Sequence, residues 1–519
     1  MRHVLLALLV LLLAVPARAE DAPRDYDTEK DAYKAWLERP SLYMRHKGRV
    51  EFAQTKDVRA FRVLAKSYAK PEKPKDQVRY LLASICGDHF REPAHLDTWR
   101  GWRKKNAKAR DAWLWYRGLE VDCHIDGTPE TVAVARDHST HLMRATALEV
   151  LIARKDEAAL TLAAGWLAAL PTKGHDRALL LESAAEALYQ LRKHRKTEPW
   201  TKLLAMLRQH LDGATTSERT RRVIARRLML IDDALPKASD PGRYAPPVKP
   251  TFFGIQGSGN RIVFVIDMSD SMLTPLTEKE FDDLQKPYGK AAKSMGEAIK
   301  KLPWVRIDTR FDAAREFLKL ALRGLTPQQS FCVIGFGSEA KFLAATPGLR
   351  KATEKHIEKA CVELDTIVAE PPTRGRPHGM LWGYTNLHGG LHRAFKVRSK
   401  SPVKTLEYVD ASTFTDGCDT IFLLSDGKPT WDDWPEWDLR LDKHKSGDPE
   451  SGAETKDHEK GHYYGPYALA SWLRDDLRRL NLFRKAEIHC VGIGEHDPHL
   501  LRWISQQGLG QFRKVPANE

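Results

Sequence analysis

Two hydrophobic periodicities divide the chain. From residue 28 to residue 235, apolar residues recur at three- and four-residue spacing, as in MRATALEVLIARK, DRALLLESAAEALYQLRK and RTRRVIARRLMLIDD. That spacing predicts helix after helix. At an offset of forty residues Leu148, Leu188 and Leu228 fall in register, as do Leu151, Leu191 and Ile231, and Leu167 with Leu207. A period near forty built from helix pairs predicts HEAT-like helical repeats over an all-α N-terminal domain, residues 20–235; an irregular bundle is the competing pattern. Stacks of this kind present a surface to a partner rather than carry out chemistry.

The helical period stops at PKASDPGRYAPPVKPTFFGIQGSGN, residues 236–260, where prolines and then glycines oppose helix and central strand alike. The linker is placed at 236–251 and the second domain at 252–519. There the texture becomes strand alternating with helix. Strands are predicted at 261–266 (RIVFVI), 330–336 (SFCVIGF), 341–345 (KFLAA), 420–425 (TIFLLS), 486–493 (AEIHCVGI) and 511–515 (QFRKV), with helices at 308–325, 350–364, 386–397, 466–481 and 496–507. Alternation of this kind implies βαβ units and a doubly wound, mostly parallel α/β sheet. KFLAA follows its neighbour too closely for a crossover, so it is expected as an antiparallel edge strand.

Composition changes the picture at the N-terminus. Arg2 and His3 precede the apolar run Val4–Val15, and Ala17-Arg18-Ala19 supplies small residues where a signal peptidase reads. Residues 1–19 are therefore expected to be a secretory signal peptide, and the run is short for a membrane span. No later apolar stretch reaches spanning length, so the mature protein is expected to have no transmembrane segment. Losing Arg2 and Arg18 lowers the formal charge from +14 by two, to +12. The positive charge is scattered along helical faces with no reading motif, which argues against nucleic acid as a partner. Among six cysteines, Cys332 and Cys490 sit in apolar strands and read as core residues; Cys86 and Cys123, in the N-terminal half, are candidates for a disulfide, while Cys361 and Cys418 fall in the C-terminal half. No CxxC spacing occurs, which speaks against zinc.

The candidate chemistry lies at strand ends. RIVFVIDMSDSM ends its apolar run in Asp267 and then offers Ser269 and Ser271; GYTNLHGGL places Thr385 before a helix; TIFLLSDGKPT places Asp426 after a strand. Ligands of open α/β sheets bind at such carboxyl ends. Hydroxyl and carboxylate oxygens without sulfur suit Mg²⁺, with Mn²⁺ or Ca²⁺ as alternatives.

These residues carry a resemblance. D-x-S-x-S, the Thr of the YTNL loop and the Asp of LLSDG, with FCVIGFGSEA, IHCVGIGEHDPHLL and a closing FRKV, resemble the von Willebrand factor type A domain and its metal-ion-dependent adhesion site. The resemblance covers about residues 252–519 and implies a Rossmann-like sheet. It implies that Ser269 and Ser271 bind the metal through their hydroxyls, that Thr385 does so directly or through water, and that Asp267 and Asp426 hold coordinating waters. It also implies an open position for a Glu or Asp of a protein partner, and a setting similar to the bacterial cell envelope, periplasmic or secreted.

Three departures stand out. Asp270 occupies the position between the serines where the family usually carries Gly, so it either adds charge beside the metal or faces solvent. Insertions at 273–307 and 430–465 emerge on the metal face. Trp431, Trp434 and Trp437 in the second are candidates for partner contact or for packing on their own domain, and His444, His458 and His462 are read as loop histidines. The function expected is an exported, non-enzymatic protein-interaction module. The alternatives are a helical scaffold whose metal site is only structural, and a metal-dependent hydrolase; the chain has no G-x-S-x-G elbow or Walker loop to support the latter, and HEKGH at 458–462 falls in the insertion read as loop rather than on a helix.

Overall fold

A computed structural model of the chain describes most of residues 25–68, together with 93–105, 112–231 apart from 214, 249–288, 292–367, 383–403, 410–433, 467 and 470–516. The signal segment, Cys86, the linker as far as 248, and Trp434, Trp437, His444, His458 and His462 lie outside the described residues. Among the described residues no helix is long and apolar enough to cross a membrane.

The N-terminal half is helical. Helices α1 (Tyr26–Leu37), α2 (Val58–Tyr68) and α3 (Pro93–Lys105) precede α4 (Ala112–Asp126), α5 (Pro129–Asp137), α6 (His141–Ala153), α7 (Ala158–Ala168), α8 (His175–Gln190), α9 (Glu198–Asp212) and α10 (Glu218–Met229). From α4 onward these form two layers: α4, α6, α8 and α10 pack side by side, and α5, α7 and α9 back them. The forty-residue register has a physical cause. Leu148, Leu188 and Leu228 are fully buried at equivalent points of α6, α8 and α10, and Leu207 of α9 and Leu167 of α7 are buried alike. In α8 every residue from Arg177 to Leu188 is buried, so this helix is covered on both sides.

The C-terminal half opens with a hairpin of β1 (Thr251–Phe252) and β2 (Ile255–Gln256). Phe253 and Gly254 turn it at positive φ (47° and 79°), as a primed two-residue turn demands. Phe252, Phe253 and Ile255 are buried, so the segment from 251 belongs to the C-terminal core rather than to a free link. There follow β3 (Arg261–Asp267), α11 (Glu278–Gln285), α12 (Ala292–Lys300), α13 (Arg310–Arg323), β4 (Ser330–Phe336), β5 (Ala340–Phe342), β6 (Arg350–Lys351) and α14 (Glu354–Asp365). The chain continues through α15 (Leu387–Lys396), α16 (Thr413–Asp416), β7 (Thr420–Ser425), α17 (Ala470–Asn481), β8 (Glu487–Ile493), α18 (Pro498–Gln507) and β9 (Phe512–Val515).

The sheet runs β5-β4-β3-β7-β8-β9, with β6 also on β4. The strands β4, β3, β7, β8 and β9 are parallel, and β5 and β6 are antiparallel. Ile262, Phe264 and Ile266 join the apolar layer on one face with α13 and α14, while Val263 and Val265 join the other with α15, α17 and α18. A strand buried on both faces has no polar position to alternate with, which explains the unbroken run. Residues 350–351 form an edge strand where the sequence predicts the start of a helix, because Arg350 pairs with Phe331 and the helix waits for the Thr353 cap. The first insertion folds into α11 and α12.

The two halves share a buried seam. The inner helical layer meets the chain just before the starts of β3, β7, β8 and β9. Arg219 of α10, 1% exposed, donates to Glu182 Oε1 (2.5 Å), to the Phe414 carbonyl (2.9 Å) and to the Arg484 carbonyl. Arg226 donates to the Gly508 carbonyl (2.8 Å) and pairs with Glu487 (3.3 Å). Arg227 pairs with Glu186 (2.8 Å), and Lys485 with Glu149 (2.8 Å). Phe414 and Phe483 are part of the helical half's core. The described cysteines, 123, 332, 361, 418 and 490, are free and buried. Cys123 faces the Thr131 hydroxyl at 3.1 Å, so it is not in a disulfide, and neither are Cys361 and Cys418.

Candidate metal centre at the sheet edge

Strand order reverses between β3 and β7: the chain runs from β3 outward to β4 and β5, then crosses back to β7 and continues the other way. At such a switch point the loops diverge and leave a crevice at the carboxyl ends. Register puts Ile266 opposite Leu424, so Asp267 leaves the sheet beside Ser425, with Asp426 one residue further on.

All five sequence-predicted oxygens meet there. The Ser269 and Ser271 hydroxyls lie 3.1 Å apart, Thr385 Oγ1 donates to Ser269 Oγ at 3.4 Å, and Ser271 Oγ donates to Asp426 Oδ1 at 2.7 Å. Asp267 is fully buried and is held from both sides, its Oδ1 accepting the Ser269 N–H (2.9 Å) and its Oδ2 the Ser425 hydroxyl (2.6 Å). Burial, and then the charge of Asp426, push Asp267 up to about 7. Burial also raises Asp426, against the Ser271 hydroxyl and Arg310. Two buried carboxylates with so little compensation carry a surplus of negative charge.

The loops are fixed by bonds that the sequence did not suggest. Thr385 N–H donates to Thr430 Oγ1 (3.0 Å) and Tyr384 N–H to Ser338 Oγ (3.0 Å). Asp270 is tied to the threonine loop. Its N–H donates to the Gly383 carbonyl (3.1 Å) and its Oδ1 accepts the Gly383 N–H (3.2 Å), a two-bond clamp between the serine loop and the threonine loop. Trp431 stacks on Tyr384, with ring centroids 4.9 Å apart and planes 5° apart, beside Thr385. Its packing partner is therefore its own domain. Ser425 was legible as part of LLSDG, since a hydroxyl ending an apolar strand next to Asp426 must face something polar. Arg310, which pairs with Asp426 (3.2 Å), carried no signal, because only the fold brings it across 116 positions of sequence.

The donor set suits a hard divalent cation: neutral hydroxyls in contact with one another, two acidic groups, no sulfur. Among the described residues no cluster of three or more His, Cys, Asp or Glu side chains is placed to hold a metal. A centre at this edge would thus rest on hydroxyls with only two carboxylates.

The family model for the von Willebrand factor type A domain matches residues 306–430 and 471–513, which include Thr385 and Asp426. Among solved structures, a von Willebrand factor type A protein from Catenulispora acidiphila is similar at 17% identity with a TM-score of 0.27. That match covers 50% of this chain and 40% of the other. No curated protein matches the chain.

Proposed function

We propose, from the premise that the C-terminal half is a von Willebrand factor type A domain, that this protein is a non-enzymatic interaction module whose sheet edge captures an acidic residue of a protein partner with the help of Mg²⁺. Domains of this family commonly bind a divalent metal. The observation that carries the reading is the convergence of Ser269, Ser271, Thr385, Asp267 and Asp426 from three loops, with their negative charge only partly offset by Arg310. Ser269 and Ser271 would hold the ion through their hydroxyls, with Thr385 directly or through water. Asp267 and Asp426, each already bonded to a hydroxyl, would orient coordinating waters. Neutral inner ligands leave a bound divalent ion electrophilic toward one further carboxylate. The Asp270 clamp, Thr430 and Ser338 hold the Thr385 loop in place for it.

The helical half meets the opposite ends of the strands, so it leaves the metal edge open and offers its outer layer for a second contact. Export follows from residues 1–19, and N-terminal sequencing of the exported protein should begin at or near Glu20. The test of the whole reading is capture of partner from the cell-envelope fraction in Mg²⁺ and again in EDTA. Capture that survives EDTA unchanged overturns it in favour of a scaffold whose helical half does the binding.

A further inference from the structure

Arg310 is the first residue of α13, and its side chain reaches under the loops of the metal edge. Nη1 donates to Asp426 Oδ2 and Nε donates to Glu280 Oε1, each at 3.2 Å. Arg310 is 8% exposed, Glu280 2% and Asp426 1%. Gly494, at φ +63°, closes over the guanidinium, where a Cβ would stand 2.1 Å from Cζ. Glu280 comes from the insertion at 273–307. A capping box fixes it there: its N–H donates to Thr277 Oγ1 (3.2 Å) and its Oε2 accepts the Thr277 N–H (2.7 Å). One buried guanidinium is thus divided between a carboxylate of the site and a carboxylate of the insertion.

We propose that Arg310 is a resident competitor of the metal, and that the insertion, through Glu280, sets how strongly it competes. The inference rests on reading this edge as a divalent-cation site. A guanidinium on Asp426 offsets part of the charge that an arriving cation would offset, and like charges a few ångströms apart in a buried site repel strongly. Arg310 also orients Asp426, and losing an outer partner of this kind typically costs about ten- to a hundredfold in metal affinity. The repulsion is the larger effect here. Asp426 keeps its 2.7 Å bond from Ser271 when Arg310 is gone, whereas the positive charge disappears outright. Glu280 acts in the opposite sense. It holds one edge of the guanidinium away from Asp426 and compensates its charge, so neutralising Glu280 leaves Arg310 wholly to Asp426.

Titration calorimetry of the full chain with Mg²⁺ tests this through opposite signs. Arg310→Met should tighten binding about tenfold or more and Glu280→Gln should weaken it about tenfold, on the scale expected for a buried charge near the ion. The double variant leaves no unpaired charge in the pair, which guards against misfolding, and should bind close to Arg310→Met, because Glu280 then has no guanidinium to restrain. Thermal melts in EDTA check that each variant folds. Weaker binding by both single variants makes Arg310 a positioning residue and overturns the proposal, as does Arg310→Met binding like wild type. If wild type itself takes up no Mg²⁺, the metal reading fails, a result distinct from failure of the competitor alone.

Discussion

The seam between the halves and the metal edge are built from the same ingredients, buried carboxylates and guanidinium groups, and they differ in balance. At the seam Arg219, Arg226, Arg227 and Lys485 face Glu182, Glu487, Glu186 and Glu149 one for one. Burial alone would raise Glu186, yet Arg227 and Lys485 outweigh it and hold it at about 2. Glu487 is likewise pulled down by Arg226 and His489 against its burial. Glu149 goes the other way, burial prevailing over Lys485. At the metal edge Asp267 and Asp426 have, among the described residues, one paired cation between them, itself shared with Glu280, and both are pushed up. A balanced cluster joins two surfaces; an unbalanced one favours an added positive charge.

The comparison is broken most directly at the seam. Arg219→Met leaves Glu182 buried without its cation and two carbonyls without a donor, so about 3–5 kcal/mol of stability should go, read by urea denaturation. A loss below about 1 kcal/mol would make the seam no joint at all.

The second prediction uses pH. Unfolded, the Asp267 carboxyl titrates near 3.9; folded and metal-free, near 7. The folded state then binds the proton more tightly, so this group's contribution falls as pH rises through that window. Asp267→Asn, a mimic of the protonated form, should match wild type near pH 4 in EDTA and exceed it by a few kcal/mol near pH 7. Saturating Mg²⁺ should close the gap from the wild-type side. The seam carboxylates Glu186 and Glu487 have lowered values and behave oppositely, losing their contribution only as pH falls below about 4. A wild-type advantage over Asp267→Asn at pH 7 without metal would contradict the charge surplus.

Third, Asp267→Ala and Asp426→Ala should each weaken Mg²⁺ binding about ten- to a hundredfold or abolish it, with circular dichroism unchanged. Wild-type affinity in both would remove the metal from the edge. The smallest effect is expected from Asp270→Gly, which deletes one of two clamp bonds. Amide exchange at 383–386 should quicken, with metal affinity falling only a few-fold; unchanged exchange would show that the clamp holds nothing.

Much of this was legible because local rules agreed with the fold. The β3 run and the forty-residue leucine register follow from short-range chemistry that tertiary structure reinforced, whereas the start of α14 was misplaced because only the pairing of Arg350 with Phe331 defers it to the Thr353 cap. The five oxygens were legible because each stands where a strand or helix begins or ends. Arg310 and Glu280 were not, since a buried Arg in a helix reads like an exposed one until its partner is known. Asp270 was half legible: its departure from Gly was visible, its bond to Gly383 was not. The seam was hidden for a related reason, as RTRRVIARR resembles a solvated helix face while Arg219, Arg226 and Arg227 are in fact buried.

The opposed positions of seam and metal edge have a mechanical consequence. A partner captured at Asp267 and Asp426 as proposed would pull on the carboxyl ends of β3 and β7, while the helical half is anchored where β7, β8 and β9 begin. Tension between the two attachments runs along the strands, and the parallel ladders from β3 to β9 bear it in shear, many hydrogen bonds at once instead of one after another. The protein should accordingly resist stretching between its two attachments far better than a pull that peels β9 from the sheet edge, a contrast that single-molecule pulling from the two pairs of points would measure.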